Sequence, residues 1–132
     1  MARTVGATLP FMATSTATSI GTIALADQLN HVRARVPLSE RDVARATGAE
    51  QATVRRWIER KAAPMGVDAN RLAELIAVVE EMALNIQPDS IPEWLRDEVP
   101  ALDGQTPADV IASGGYQRVI DIALWLSAGG FT

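Results

Sequence analysis

A chain of 132 residues makes one modest domain or two very small ones and is long enough to bury a core, and without cysteine it has no thiolate for a disulfide framework or a metal site. Its one histidine, His31, cannot by itself build a metal centre or a histidine-based triad, and it reads as a surface or half-buried helix residue. The net charge of −4 hides an asymmetry: residues 33–61 hold eight basic and four acidic side chains, whereas from residue 62 onward three arginines stand against eleven acidic residues. A basic segment suits nucleic-acid phosphates, and an acidic remainder suits a protein partner. No apolar run approaches the roughly 20 residues that a membrane span needs, and a cysteine-free chain fits the reducing cytoplasm.

Residues 1–19, rich in Thr, Ser and Ala with Arg3 as their one charge, show no sustained period and read as a mobile arm. The Ala-Leu-Ala before Asp27 suits a leader cleavage site, but threonines and serines interrupt the apolar stretch such a leader needs, so export is not expected. From Ile20 to Arg35 the apolar positions Leu25, Leu29, Val32 and Val36 recur at helical spacing, and Pro37 ends the helix.

Ser39 to Lys61 carries the spacing of a helix-turn-helix. Ser39 is placed to cap a helix, with Asp42 three residues on as a weaker form of the usual capping-box Glu. Ala44 supplies a small side chain where a second helix crosses, and Gly48, four residues later, tolerates a left-handed turn. The second helix starts near Glu50 and runs to about Lys61 before Pro64. Val54, Trp57 and Ile58 form its inner face, with Gln51, Thr53, Arg55, Arg56 and Glu59 outside. The outer face is what enters a DNA major groove, which makes Gln51, Thr53, Arg55, Arg56 and Lys61 the candidate DNA contacts. Helix pairs of this kind also occur in ordinary three-helix cores that never meet DNA.

Asp68 or Asn70 is placed to cap the next helix, whose wide stripe of Leu72, Leu75, Ile76, Val79, Met82, Ala83 and Ile86 needs several partners. Pro88 closes that helix, and Ser90 is placed to cap a short one within residues 90–99, with Pro92 early enough to be tolerated. Pro100 and a turn lead to a helix capped by Thr106 with Pro107 at its first position. Gly114 and Gly115 precede the last helix, whose Tyr116, Val119, Ile120, Ala123 and Leu126 face inward. No segment alternates at period two, so the predicted fold is all-α. An N-terminal helix-turn-helix domain (20–66) is followed by a small helical domain (67–132).

The candidate chemistry is binding, not catalysis. Acidic neighbours such as Glu80–Glu81 and Asp97–Glu98 diverge by about 100° around a helix and cannot grip one bond together, and neither a nucleophile elbow nor a phosphate-cradling glycine loop is present. No cofactor is expected. Trp57 reads as core, Trp94 as the anchor of a short amphipathic helix, and Trp125 as either core or an exposed aromatic in a partner interface. The ending Ala-Gly-Gly-Phe-Thr is either a helix cap with Phe131 folded back or a free end that enters another protein.

From about residue 90 onward, the order of Trp94-Leu95, then Pro100-Ala101-Leu102 with Gly104, Thr106 and Pro107, then Gly114 to Val119, then Gly129 to Phe131 resembles the toxin-binding domain of the Xre/MbcA/ParS antitoxins, which follows an Xre-like helix-turn-helix. The resemblance implies a cytoplasmic antitoxin, not an enzyme. It would occlude the active site of a cognate RES-domain, NAD-degrading toxin and repress its own operon at an operator DNA, as a homodimer or a higher hetero-oligomer with the toxin. By the same analogy Tyr116, Arg118 and the tail Gly129, Gly130, Phe131 and Thr132 join Trp125 at the toxin interface. An acidic second half suits the basic cleft that a negatively charged dinucleotide requires. Departures lie in the first half, with its long Thr-rich arm and with Glu50 and Ala52 at the start of the recognition helix. The alternative is a free-standing helix-turn-helix regulator whose second domain dimerises it. A third possibility is an adaptor with a degenerate helix-turn-helix.

Overall fold

The computed structural model describes residues 25–129, and every regular element among them is helical. The arm at 1–19, the expected start of the first helix at residue 20 and the tail residues Gly130, Phe131 and Thr132 lie outside the described residues. Helix α1 covers 25–35, burying Leu29 and Val32 completely and stopping before Pro37.

Helix α2 (Glu40–Thr47) opens with a complete capping box. The Asp42 amide donates to Ser39 Oγ at 3.0 Å, and the Ser39 amide donates to Asp42 Oδ2 at 2.9 Å. At its other end Gly48 takes φ +81° and its amide reaches back to the Ala44 carbonyl at 2.8 Å. A β-carbon at Gly48 would meet nothing within 4 Å, so the turn needs glycine for its backbone angle, not for space.

Helix α3 (Gln51–Ile58) buries Val54 and Trp57 and ends earlier than its sequence pattern suggests. The Arg60 amide donates to Trp57 and the Lys61 amide to Arg56, with Arg60 at φ +60°, so a Schellman closure built on an arginine terminates the helix before Lys61. An ion pair from Arg60 to Asp27 of α1, at 2.9 Å, holds that residue in place.

Helix α4 (Gly66–Ala83) begins before both expected caps. Neither Asp68 nor Asn70 is the cap, because the chain is already helical at Gly66. Asp68 instead sits in the first turn, where its charge favours the exposed amides. Leu72, Leu75, Ile76, Val78, Val79 and Met82 are all buried, Val78 being an addition to the expected stripe, whereas Ala83 is half-buried and Ile86 lies beyond the helix end at Ala83. Ser90 is not a cap either. A 3-10 turn, Pro88–Ser90, leads straight into α5 (Ile91–Arg96), so the Ser90 backbone is already helical at φ −84°, ψ −16° and its hydroxyl has no free amide to serve. A second 3-10 turn, Pro100–Leu102, precedes α6 (Pro107–Ala112), whose Thr106 accepts the Asp109 amide as a true N-cap.

Helix α7 (Tyr116–Ser127) follows Gly115. A β-carbon there would stand 2.6 Å from Val110 Cγ1 and 3.1 Å from the Val110 carbonyl, so this glycine serves close packing between α6 and α7. Helix α2 packs on α3, α4 and α6, while α4 and α6 both pack on α7. The result is one continuous apolar cluster, from Leu29 of α1 to Ala123 of α7.

Candidate functional site

Three surfaces carry the candidate residues. The first is the outer face of α3. Burial of Val54 and Trp57 turns Gln51, Ala52, Arg55, Arg56 and Glu59 outward, while Thr53 is half-buried. Arg55 is held by Glu40 of α2, with Nη2 to Oε1 at 3.0 Å and Nε to Oε1 at 3.2 Å. That hydrogen bond is the main reason the Glu40 carboxyl lies below its ordinary range. Lys61 reaches Glu59 at 3.4 Å. Of the five candidate DNA contacts, Gln51 and Arg56 are exposed and Arg56 makes no ion pair among the described residues, whereas Gln51 bonds Glu40 and Arg55 and Lys61 are paired with carboxylates.

Beside this face a cavity of about 770 Å³ lies among Arg33, Glu40, Arg41, Asp42, Arg45, Gln51 and Arg96. Two bidentate ion pairs organise it. Arg96 of α5 donates to both Asp42 oxygens at 2.8 and 2.9 Å, and Arg45 of α2 donates to both Asp109 oxygens of α6 at 2.7 and 2.9 Å. The Asp42 side chain is only 5% exposed. Burial works to raise its carboxyl, but bonds from Arg96 and from the Ser39 amide and hydroxyl outweigh that and hold it below the usual value. Arg45 does the same for Asp109. Sequence reading assigned Asp42 a cap and nothing more; its second role depends on a partner 54 residues away, which no local spacing signals.

The third surface is apolar. Trp94, Val99, Pro100, Ala101, Asp121, Ile122, Trp125 and Leu126 line a cavity of about 540 Å³. On the other side of Trp94 a second cavity, of about 400 Å³, is lined by Met82, Ile86, Ser90, Glu93, Asp97 and Leu126. Trp94 and Leu126 line both, so the two adjoin as one trench with the exposed Glu93, Asp97 and Asp121 among its lining residues. Trp125 is 57% exposed, so it does not belong to the core, and Leu124 beside it is 49% exposed.

Tyr116 and Arg118 stand at the opposite end of α7 from Trp125, some nine residues or about 13 Å along the axis. Tyr116 is half-buried against the core. Arg118 bonds the Ala101 carbonyl and Asp103 Oδ2, both at 3.2 Å, at the Ala101 side of the trench. The Gly129 amide donates to the Leu126 carbonyl at 3.0 Å, where the tail departs. The sequence leaves Trp125 as either core or an exposed aromatic and gives Trp94 only as the anchor of a short helix; the structure exposes Trp125 and sets both on one groove, which their shared Trp-plus-leucine context could have signalled.

His31 is exposed, and no cluster of three or more His, Cys, Asp or Glu side chains among the described residues could hold a metal ion. No helix among them is long and apolar enough to cross a membrane.

No family model matches the chain. The mycobacterial cidal antitoxin MbcA from Mycobacterium bovis, and likewise that from Mycobacterium tuberculosis, is 27% identical over 112 residues, which cover 85% of this chain and 99% of the relative. The crystal structure of the M. tuberculosis MbcT–MbcA toxin–antitoxin complex aligns with a TM-score of 0.71 at 27% identity, over 82% of this chain and 97% of that one. In sequence and in fold, therefore, the chain is homologous to MbcA, the antitoxin of a toxin–antitoxin pair.

Proposed function

We propose that this protein is the antitoxin of a toxin–antitoxin pair, acting by binding in the cytoplasm. The second half would cover the active-site cleft of a RES-domain toxin that consumes NAD, and the helix-turn-helix would repress the operon. The observation that carries this reading is the solvent-facing apolar trench around Trp94 and Trp125, on a chain homologous to an antitoxin whose structure is known in complex with a toxin. Apolar patches of this kind mark interfaces, and desolvated tryptophans contribute most where they are fully enclosed.

The chemistry of the trench agrees with a basic partner. Its lining is mainly apolar and includes Glu93, Asp97 and Asp121, so an apolar side chain flanked by lysine or arginine would be matched in both respects. A cleft that receives the pyrophosphate of a dinucleotide carries such cations. Tyr116, Arg118 and the tail from Gly129 to Thr132 would extend the contact along α7.

The test is co-expression with the protein encoded beside this one, followed by copurification and an assay for NAD loss. Capture together with suppression of NAD loss is expected for the wild type. Trp125→Ala should weaken the complex by about 2 kcal/mol or more, roughly 30-fold, while moving the thermal midpoint little, since most of the side chain already faces solvent. A chain that captures no neighbour but self-associates through Trp125 would instead be a free-standing regulator dimerised by its second half.

A further inference from the structure

The groove between α2, α3 and α5 holds more positive charge than its ion pairs consume. Arg96 is matched by Asp42, Arg45 by Asp109, and Glu40 by Arg55 from the neighbouring helix. Arg33 and Arg41 are left over. Arg33 donates through Nε to the Leu38 carbonyl at 2.9 Å, a bond that fixes the side chain without neutralising it, although Glu40 is near enough to feel its charge. Arg41 is exposed and makes no ion pair among the described residues. The amino end of α2 is closed by its own capping box, so the groove's attraction for an anion comes from side chains.

We propose that this groove receives a backbone phosphate of duplex DNA. Arg33 and Arg41 would be the direct contacts, and Arg96, anchored on Asp42, would add charge from the second half of the chain. Gln51, the first residue of α3, lines the same wall, so a phosphate held here would lie beside the end of the helix whose outer face carries Arg56. Guanidinium groups match phosphate oxygens through paired N–H donors, and such contacts set the register of a duplex without reading its sequence. The opening of the groove to solvent suits one link of a continuous polyanion. This assignment rests on reading α2 and α3 as a DNA-binding helix-turn-helix, and it adds residues outside the recognition helix, one of them from α5.

The experiment is fluorescence anisotropy of the full chain with two labelled duplexes of equal length, one spanning the DNA just upstream of its gene and one of unrelated sequence, across a series of salt concentrations. Arg41→Ala and Arg33→Ala should each weaken binding to both duplexes by a similar factor and lower the slope of log affinity against log salt by about 1. Arg41→Lys should restore most of the slope. Arg56→Ala, by contrast, should lose affinity chiefly for the upstream duplex. An unchanged slope in both Arg33→Ala and Arg41→Ala, with wild-type binding intact, would overturn the phosphate assignment alone, as would a loss confined to the upstream duplex. A wild-type chain that binds neither duplex at low salt would overturn the helix-turn-helix reading itself, and the groove assignment with it.

Discussion

Asp42 does two jobs with one carboxylate. It caps α2, it receives Arg96 from α5, and it does so almost fully buried. Removing Arg96 would leave a buried charge with only the Ser39 amide and hydroxyl as partners, so Arg96→Ala should cost about 1 to 3 kcal/mol of stability, the lower figure applying because Arg96 itself is half in solvent. Urea unfolding would read this directly, with Arg96→Lys restoring part of the loss. Gly48 offers a cleaner case. Nothing surrounds the position that a methyl group would take, so Gly48→Ala isolates the left-handed backbone penalty, about 1 to 2 kcal/mol, without any packing change. The same substitution at Gly115 should cost more, because the added carbon meets Val110 Cγ1 and the Val110 carbonyl. A thermal midpoint for Gly115→Ala above that of Gly48→Ala would contradict this ranking.

At the scale of the elements, two caps carry two helices. Ser39→Ala removes the acceptor for the Asp42 amide and should destabilise by about 1 kcal/mol; Thr106→Ala does the same at α6, where Asp109 supplies the amide. Hydrogen exchange in the first turn of each helix would locate the loss. The caps were legible in the sequence because the hydroxyl and the amide it serves lie three residues apart. Ser90 shares that local pattern and fails, since Pro88 starts a 3-10 turn that makes the serine backbone helical before α5 begins. The end of α3 was misplaced for a related reason: a left-handed arginine closes the helix, and sequence rules look for glycine or asparagine there. The inner stripes of α1, α4 and α7 were legible from period alone, with Val119 and Ala123 inward and Trp57 in the core. What no spacing could reveal was anything joining distant segments: Arg45 to Asp109 spans 64 residues, and the trench needs Trp94 from α5 against Trp125 from α7.

For the whole molecule, acid is the informative perturbation. Asp42 and Asp109 both titrate below their ordinary value of 3.8, so each contributes stability that is fully present above that value and is lost as the pH falls through the lower folded value. The urea midpoint should therefore be flat near neutrality and fall below about pH 4. Asp42→Asn should lower the neutral plateau and flatten the acid limb. A midpoint with the same acid dependence in wild type and Asp42→Asn would show that the pair with Arg96 adds nothing.

The two bidentate pairs also bear on how such a chain could be inherited. Both start from α2 and end on α5 or α6, and the apolar cluster runs through both halves without a gap. A recombinant that joined residues 25–66 to the second half of a distant relative would bring Asp42 and Arg45 without their counterparts, together with a core surface cut to fit another mould. New binding specificity would then arise by piecemeal change on one surface, or by transfer of the chain entire. What the two halves bind would then travel together, tied by two arginines and two aspartates.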